Sequence, residues 1–417
     1  MHAHADQYLT PEPFKIEVPQ HRLDELDERL RRWRPPIEID NAGWAYGTAP
    51  ALLRELVDHW RHAYDWLRCE DLLNSFPNYL VDIGSQRIHF IREPGTSTGE
   101  GPPPLPLIVS HGWPGSVVEF LDVIDQLAHP ERHGGDAIDA FDVIVPSLPG
   151  YGWSGPPVRR DGSIGPIGPR DVASYFHQLV HGSLNYDRAY VAQGGDWGAV
   201  ISSWLAFDHP VETIKDGGQH GCRALHLNMV GLRPGIDMRA TKFTSEEEAW
   251  LKSARGVRET ETAYQDIQAT KPQTLAVALT DSPVGLAAWI LEKFHGWTDG
   301  GEAAIERIGF DRILDNIMVY WATSTAGTAT WMYRGVREQP DRGLPLGARV
   351  EVPTGFAAFP KDLSPPPPRS WVERAYNLRS YTAMPHGGHF AAMEAPELWL
   401  RDIRDFCRPL RFGAVND

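Results

Sequence analysis

At 417 residues, with 42% hydrophobic and 23% charged side chains, the chain is long enough for one globular domain carrying an insertion, or for two domains. A formal net charge of −15 argues against nucleic acid and against anionic membrane surfaces as partners. Cys69, Cys222 and Cys407 lie far apart without CxxC spacing, which argues against a disulfide framework or zinc cluster and fits a reducing, cytoplasmic compartment.

The opening stretch MHAHADQYLTPEPFKIEVP has no apolar core, so no leader is expected. No run approaches ~18 uninterrupted apolar residues, so no membrane span is expected either. The next stretch, VPQHRLDELDERLRRWRPP, reads as a helix with Leu23, Leu26 and Leu30 on one face. Its acids come early and Arg29, Arg31, Arg32 and Arg34 late, which complements the helix dipole and reads as a solvated face. From about residue 80 the runs RIHFIRE, PLPLIVSHG, FDVIVPSLPG, AYVAQGG and ALHLNMV have strand length, with helical stretches such as RDVASYFHQLVHGSL between several of them. Continuous apolar strands alternating with helices indicate an α/β fold whose mostly parallel sheet is covered on both faces.

The pattern then breaks. Residues 232–345 read as helical, through SEEEAWLKSARGVRETETAYQDIQ, SPVGLAAWILEKF and DRILDNIMVYWATSTAGTATWMYRG. Strand signals return at RVEVPTGFAAF and LRSYTAM, the SPPPPR run reads as a stiff loop, and the helix APELWLRDIRDFCRPL closes the chain. A helical block inserted into an α/β sheet is the plan of a hydrolase core with a cap. The expected division is an N-terminal segment (1–80), a first core part (81–231), the cap (232–345) and a second core part (346–417).

GGDWGAV, residues 194–200, carries the strongest chemical signal. A nucleophile between two glycines, after a strand (RAYVAQ) and before a helix (GAVISSWLAF), is the setting of the nucleophile elbow. Hydrolases usually hold serine there; this chain has Asp196. Taken alone, Asp196 could equally cap the following helix. The chemistry favours more. A serine attacking an alkyl carbon forms an ether that no base hydrolyses, whereas a carboxylate forms an ester, and turnover is restored. Asp196 therefore points to transfer of an alkyl group to water.

Ester cleavage needs a base and a group to orient it. MPHGGHFAAMEAPELW offers His386 and His389 after the last strand, and the glycines before His389 favour it. An acid between nucleophile and histidine is expected on a core loop. FPKDLSPPPP offers Asp362 directly after a strand, while Glu373 falls at a helix start with a solvated setting. SHGWPGS (110–116) is a glycine-rich turn after a strand, so the backbone N–H groups of Trp113 and Trp197 could form an oxyanion hole. An epoxide leaving oxygen needs a proton donor, and phenol suits a developing alkoxide. Tyr320, among helical apolar neighbours, reads as core; Tyr264 and Tyr333 have polar neighbours, and spacing alone leaves each open.

Together these motifs resemble the epoxide hydrolases of the α/β-hydrolase fold, in particular the microsomal type with its juvenile-hormone, fungal and bacterial relatives. The likeness is carried by RRWRPPIEI, HGWPGSVVEF, GGDWGAV, TKPQTLAVALTDSPVGLAAWILEKF, VPTGFAAFPKDL and GGHFAAMEAPELW. It implies Asp196 as nucleophile, His389 as base, Asp362 as orienting acid, and Tyr264 and Tyr333 as ring-opening donors. It also implies an N-terminal segment packed around core and cap, a hydrophobic epoxide and water as substrates, and no cofactor or metal. A homodimer is an allowed assembly. Two rivals remain at this stage. A haloalkane dehalogenase would share the aspartyl ester but use indole donors such as Trp113 and Trp197, and a non-catalytic binding protein of the same fold would have lost the nucleophile, acid or base.

Overall fold

The computed structural model describes residues 9–411 apart from 100, 216, 341 and 342. The leader expectation rests partly on residues 1–8, which lie outside the described residues. Eleven strands form: β1 (Glu12–Phe14), β2 (Asn78–Ile83), β3 (Gln86–Glu93), β4 (Leu105–Ser110), β5 (Phe141–Pro146), β6 (Tyr190–Gly194), β7 (Glu212–Thr213), β8 (Gln219–His220), β9 (Cys222–Leu227), β10 (Val350–Ala358) and β11 (Tyr376–Ala383). Nine of them build one sheet in the order β1-β2-β3-β5-β4-β6-β9-β10-β11, and β7 pairs only with β8. From β5 to β11 every neighbouring pair is parallel, while β1, β2 and β3 join antiparallel at one edge. This is the α/β-hydrolase fold.

The central strands explain their own sequences. Every residue of β4, β5 and β6 is buried, because helices cover both faces of the sheet. The chain leaves β4 toward β5 on one side and leaves β6 toward β9 on the other, so the connections after these two neighbouring strands run in opposite directions. Such a switch point opens a crevice at the carboxyl ends of parallel strands. Ser110 at the end of β4 pairs with Gly194 at the end of β6, which brings the HGWPG and GGDWG loops side by side.

Between β9 and β10 the chain leaves the sheet as a helical cap. Two of the stretches that read as helical are each divided into separate helices there. SEEEAWLKSARGVRETETAYQDIQ divides into Ser245–Glu261 and Ala263–Thr270. At the break the Thr262 hydroxyl donates to the Arg258 carbonyl (2.6 Å), competing for the acceptor its own N–H would use. DRILDNIMVYWATSTAGTATWMYRG stops at Ser324, whose left-handed backbone (φ 57°) ends helix Phe310–Thr323, and resumes as Trp331–Glu338. Among the described residues no single helix is long and apolar enough to cross a membrane. Helices Pro272–Asp281 and Pro283–Trp297 pass that test only as a pair, and they meet at 114°.

The N-terminal segment contributes β1, β2 and helices Gln20–Arg31, Pro50–His62 and Trp66–Asn74. Leu26 and Leu30 bury the expected face of the first helix. Its arginines do more than face solvent. Arg31 and Arg32 pair with Asp27 and Glu28 on their own helix, but Arg29 reaches the cap at Asp281 (2.8 Å), and Arg22 donates to the Trp321 carbonyl (3.0 Å). Tyr64 (3.0 Å) and Arg68 (2.7 Å) both donate to Asp315, a cap carboxylate with 1% side-chain exposure. The segment thus clasps the cap by charge as well as by packing.

Candidate active site

Asp196 follows β6 as the first residue of helix Asp196–Asp208, with a left-handed backbone (φ 47°) rare for any residue but glycine. Such strain persists only where the surroundings impose it. They do so through close approach: a Cβ on Gly198 would strike the Ser110 carbonyl, and one on Gly112 would strike the Asp196 carboxylate itself. The turn therefore holds Asp196 above the sheet against the HGWPG loop. The Trp113 N–H donates to Asp196 Oδ1 (2.7 Å), and the Trp197 N–H also bonds the carboxylate. Burial raises the Asp196 acid above the usual carboxylate range, opposed by the His389 charge and by these two N–H bonds.

His389 lies in the turn after β11, its N–H bonded to the Trp297 carbonyl (2.8 Å). Its Nδ1 donates to Asp362 Oδ1 (2.6 Å), and its Nε2 is 3.6 Å from Asp196 Oδ2. Burial alone would lower this imidazole; the charge and hydrogen bond of Asp362, then the charge of Asp196, hold it up at about 9. Asp362 follows β10, and its Oδ1 also accepts the Leu363 N–H (2.7 Å). The two residues weighed against this pair lie elsewhere: His386 is exposed, and Glu373 is exposed and paired with Arg369 (2.7 Å). SPPPPR is a loop, bonded through its carbonyls by Trp250 and Tyr381.

Tyr264 and Tyr333, from the two short helices created by the breaks, meet over this group with ring centroids 5.8 Å apart. The Trp113 ring stacks on Tyr264 (5.0 Å) and meets Tyr333 edge-on (6.0 Å), and Trp197 packs edge-on against Tyr333 (4.7 Å). Both phenols are raised far above their usual range, first by burial; the Asp196 charge is the next contribution for Tyr264 and follows the Tyr264 contribution for Tyr333. Both are therefore neutral phenols. The buried Tyr333 hydroxyl interacts with that of Tyr264 but makes no hydrogen bond of good geometry, and Tyr264 Oη accepts from Gln265 Nε2 (3.0 Å). Tyr320 is buried outside the pair and donates to the Gly115 carbonyl.

Three residues that sequence reasoning did not single out complete the site. Asn316, on the same cap helix as Tyr320, donates to the Pro114 carbonyl (2.7 Å) and accepts from Ser116 (2.8 Å), locking the HGWPGS loop to the cap. Glu119 makes no side-chain hydrogen bond among the described residues, and burial pushes its carboxyl up to about 8. Asn228 accepts from Gln193 (2.9 Å). Glu119 and Asn228 line, with Asp196 and His389, a cavity of about 10 Å³. That is about the least space that holds one water. Among the described residues no three His, Cys, Asp or Glu side chains converge as metal ligands.

Residues 11–120 match the family described as Epoxide hydrolase N terminus, and residues 106–276 match the alpha/beta hydrolase fold family. The chain is 35% identical over 424 residues to Epoxide hydrolase 1 of Oryctolagus cuniculus, an alignment covering 94% of this chain and 88% of the relative. The chain belongs to the epoxide hydrolase family. Its backbone superposes on the juvenile hormone epoxide hydrolase of the silkworm Bombyx mori with a TM-score of 0.82 at 29% identity, covering 98% and 97% of the two chains. The Aspergillus niger epoxide hydrolase gives 0.78 at 29% identity, covering 97% of each. An N-terminal segment on an α/β-hydrolase core is thus a family feature, and the chain is an epoxide hydrolase in sequence and fold.

Proposed function

We propose that this enzyme converts a hydrophobic epoxide and water to a vicinal diol through an ester on Asp196. The observation that carries the reading is a strained carboxylate beneath two phenols, with its Oδ1 accepting the Trp113 N–H. Asp196 Oδ2, the oxygen 3.6 Å from His389 Nε2, attacks an epoxide carbon and the ring C–O bond breaks. Tyr264 and Tyr333 donate to the leaving oxygen; the alkoxide takes a phenol proton, and the phenolate is reprotonated by the proton that the His389 imidazolium releases. Oδ1, already bonded to Trp113, becomes the ester carbonyl oxygen in a preformed oxyanion hole.

Esterification erases one of the charges that raise His389, so the imidazole gives up its proton more readily and becomes a base. His389 Nε2 then takes a proton from water as its oxygen adds to the Asp196 carbonyl carbon. Asp362 holds Nδ1–H and stabilises the imidazolium. The tetrahedral oxyanion bonds to the Trp113 and Trp197 N–H groups, and collapse releases the diol oxygen, which His389 protonates. Ionisation of the new Asp196 acid restores the starting pair. The small cavity beside Asp196 and His389 supports the water step.

Aromatic walls from Trp113, Trp197 and Trp297 support an apolar substrate. Three buried free thiols support a cytoplasmic setting, and a homodimer is the assembly to look for by light scattering. Turnover of aryl and aliphatic epoxides to diols tests the activity. Halide release from haloalkanes, with no diol from any epoxide, would transfer the site to dehalogenation.

A further inference from the structure

Lys293 has no part in the reaction described above, yet it is 4% exposed. Lysine is rarely buried so deeply without full pairing. Here the ammonium has one carboxylate partner, Glu292 on its own helix (2.8 Å), whose side chain is 32% exposed. The rest of its surroundings are rings. Nζ lies 4.5 Å from the centre of the Tyr264 ring, 5.6 Å from Trp297 and 5.9 Å from Trp289. Trp297 in turn packs edge-on against His389 (4.9 Å), so the cation stands directly behind the aromatic wall of the site.

We propose that Lys293 is a positioning residue for ring opening: its ammonium, held on the Tyr264 ring face, strengthens Tyr264 as a hydrogen-bond donor to the epoxide oxygen. The inference rests on Tyr264 being such a donor. As the phenol gives its hydrogen bond to a developing alkoxide, negative charge accumulates on its oxygen and ring. A cation over the ring gains attraction as that charge grows, and in a dry site the gain is screened little. An interaction stronger in the transition state than in the ground state accelerates the step. Lys293 also opposes Asp196, whose negative charge makes Tyr264 a poorer acid. Glu292 moderates the effect from the solvent side, while the ring side has no counter-anion among the described contacts.

The test is a double-mutant cycle on single-turnover ester formation, followed by tryptophan fluorescence. Lys293→Met is expected to slow ester formation about tenfold, since only the part of the cation–π attraction that grows toward the transition state counts, and to leave ester hydrolysis unchanged. Lys293→Arg should restore most of the loss. In a Tyr264→Phe background Lys293→Met should cost nothing further, whereas in Tyr333→Phe it should cost the full factor. A loss of equal size in both backgrounds would make Lys293 a packing residue and overturn the inference. Glu292→Gln, at a partly exposed position, supplies a variant that leaves the ring cage intact. It should raise ester formation about twofold, and only while Tyr264 is present. No rise with Tyr264 present would also overturn the inference. If Tyr264→Phe itself forms ester at the wild-type rate, the failure lies with the donor assignment instead.

Discussion

The two halves of the active site are held by different physics. On the core side, charge and backbone fix every group: Asp196 rests on N–H donors of two loops, and His389 is tied to Asp362 at 2.6 Å. On the cap side, neutral phenols are held by stacked and edge-on rings, and the Tyr333 hydroxyl makes no hydrogen bond of good geometry. The core half has its charges already arranged, as a nucleophile and base require. The cap half keeps protons unspent until an oxygen arrives to accept them. On the proposed mechanism, the two chemical steps depend on separable sets of residues, so mutations in each half should slow different steps.

The largest effect is expected from the core. His389→Gln should still form the ester but hydrolyse it roughly 10²–10⁴-fold more slowly, the usual contribution of a general base. Intact-mass measurement after mixing should show the protein plus one epoxide. The same variant should move the acid limb of ester formation to higher pH. The His389 cation lowers the Asp196 pKa, so its loss raises that pKa and Asp196 protonates earlier as pH falls.

Next come the phenols. Tyr264→Phe and Tyr333→Phe should each slow ester formation about 10²- to 10³-fold, by analogy with loss of one oxyanion donor, and leave ester hydrolysis intact. Tyr320→Phe is the contrast. It leaves the buried Gly115 carbonyl without its donor and should cost about 1–3 kcal/mol of stability, read by denaturant unfolding. A Tyr264 variant that slowed hydrolysis instead would join the two halves and break the comparison.

A smaller effect is expected where the N-terminal segment clasps the cap. Arg68→Ala strips one partner from buried Asp315. Breaking a fully buried pair costs several kcal/mol, but Arg68 is half-exposed and Asp315 keeps Tyr64 and Arg312, so the loss here is about 1 kcal/mol. Thermal unfolding with and without a bound diol would read it. The smallest change is expected from Glu119→Gln. Burial holds this acid neutral until about pH 8, so glutamine imitates it below that pH, and activity at pH 7 should barely move. Above pH 8 the wild-type enzyme gains a carboxylate facing Asp196 and His389 and the variant does not, so the pH profiles should part there. Identical profiles up to pH 9 would remove Glu119 from the water pocket's electrostatics.

Much of the core half was legible in the sequence because its motifs are local. Asp196, His389, Asp362 and Trp113 each follow a strand whose apolar run is visible, and neighbouring glycines mark the turns. The cap half was not legible by spacing. What aims Tyr264 and Tyr333 is the pair of helix breaks at Thr262 and Ser324; the first has no proline or glycine, and the second only Gly327, three residues past the left-handed Ser324. Asn316 acts on Pro114 across 202 positions, which no local pattern encodes. Glu119 did leave a trace, a lone acid in the apolar run GSVVEF, but nothing there says that its carboxyl faces the nucleophile. β1 and β2 escaped notice because one has three residues and the other mixes buried and half-buried positions without clean alternation.

The covalent role of Asp196 is the central claim, and a single turnover in water enriched in ¹⁸O tests it most directly. With enzyme in excess over epoxide, attack by Asp196 gives a first diol whose oxygens come from the epoxide and from the carboxylate. Both are unlabelled, and the Asp196 peptide gains one ¹⁸O. Direct attack by water would put the label in the diol and leave Asp196 unchanged, and that result would contradict the account.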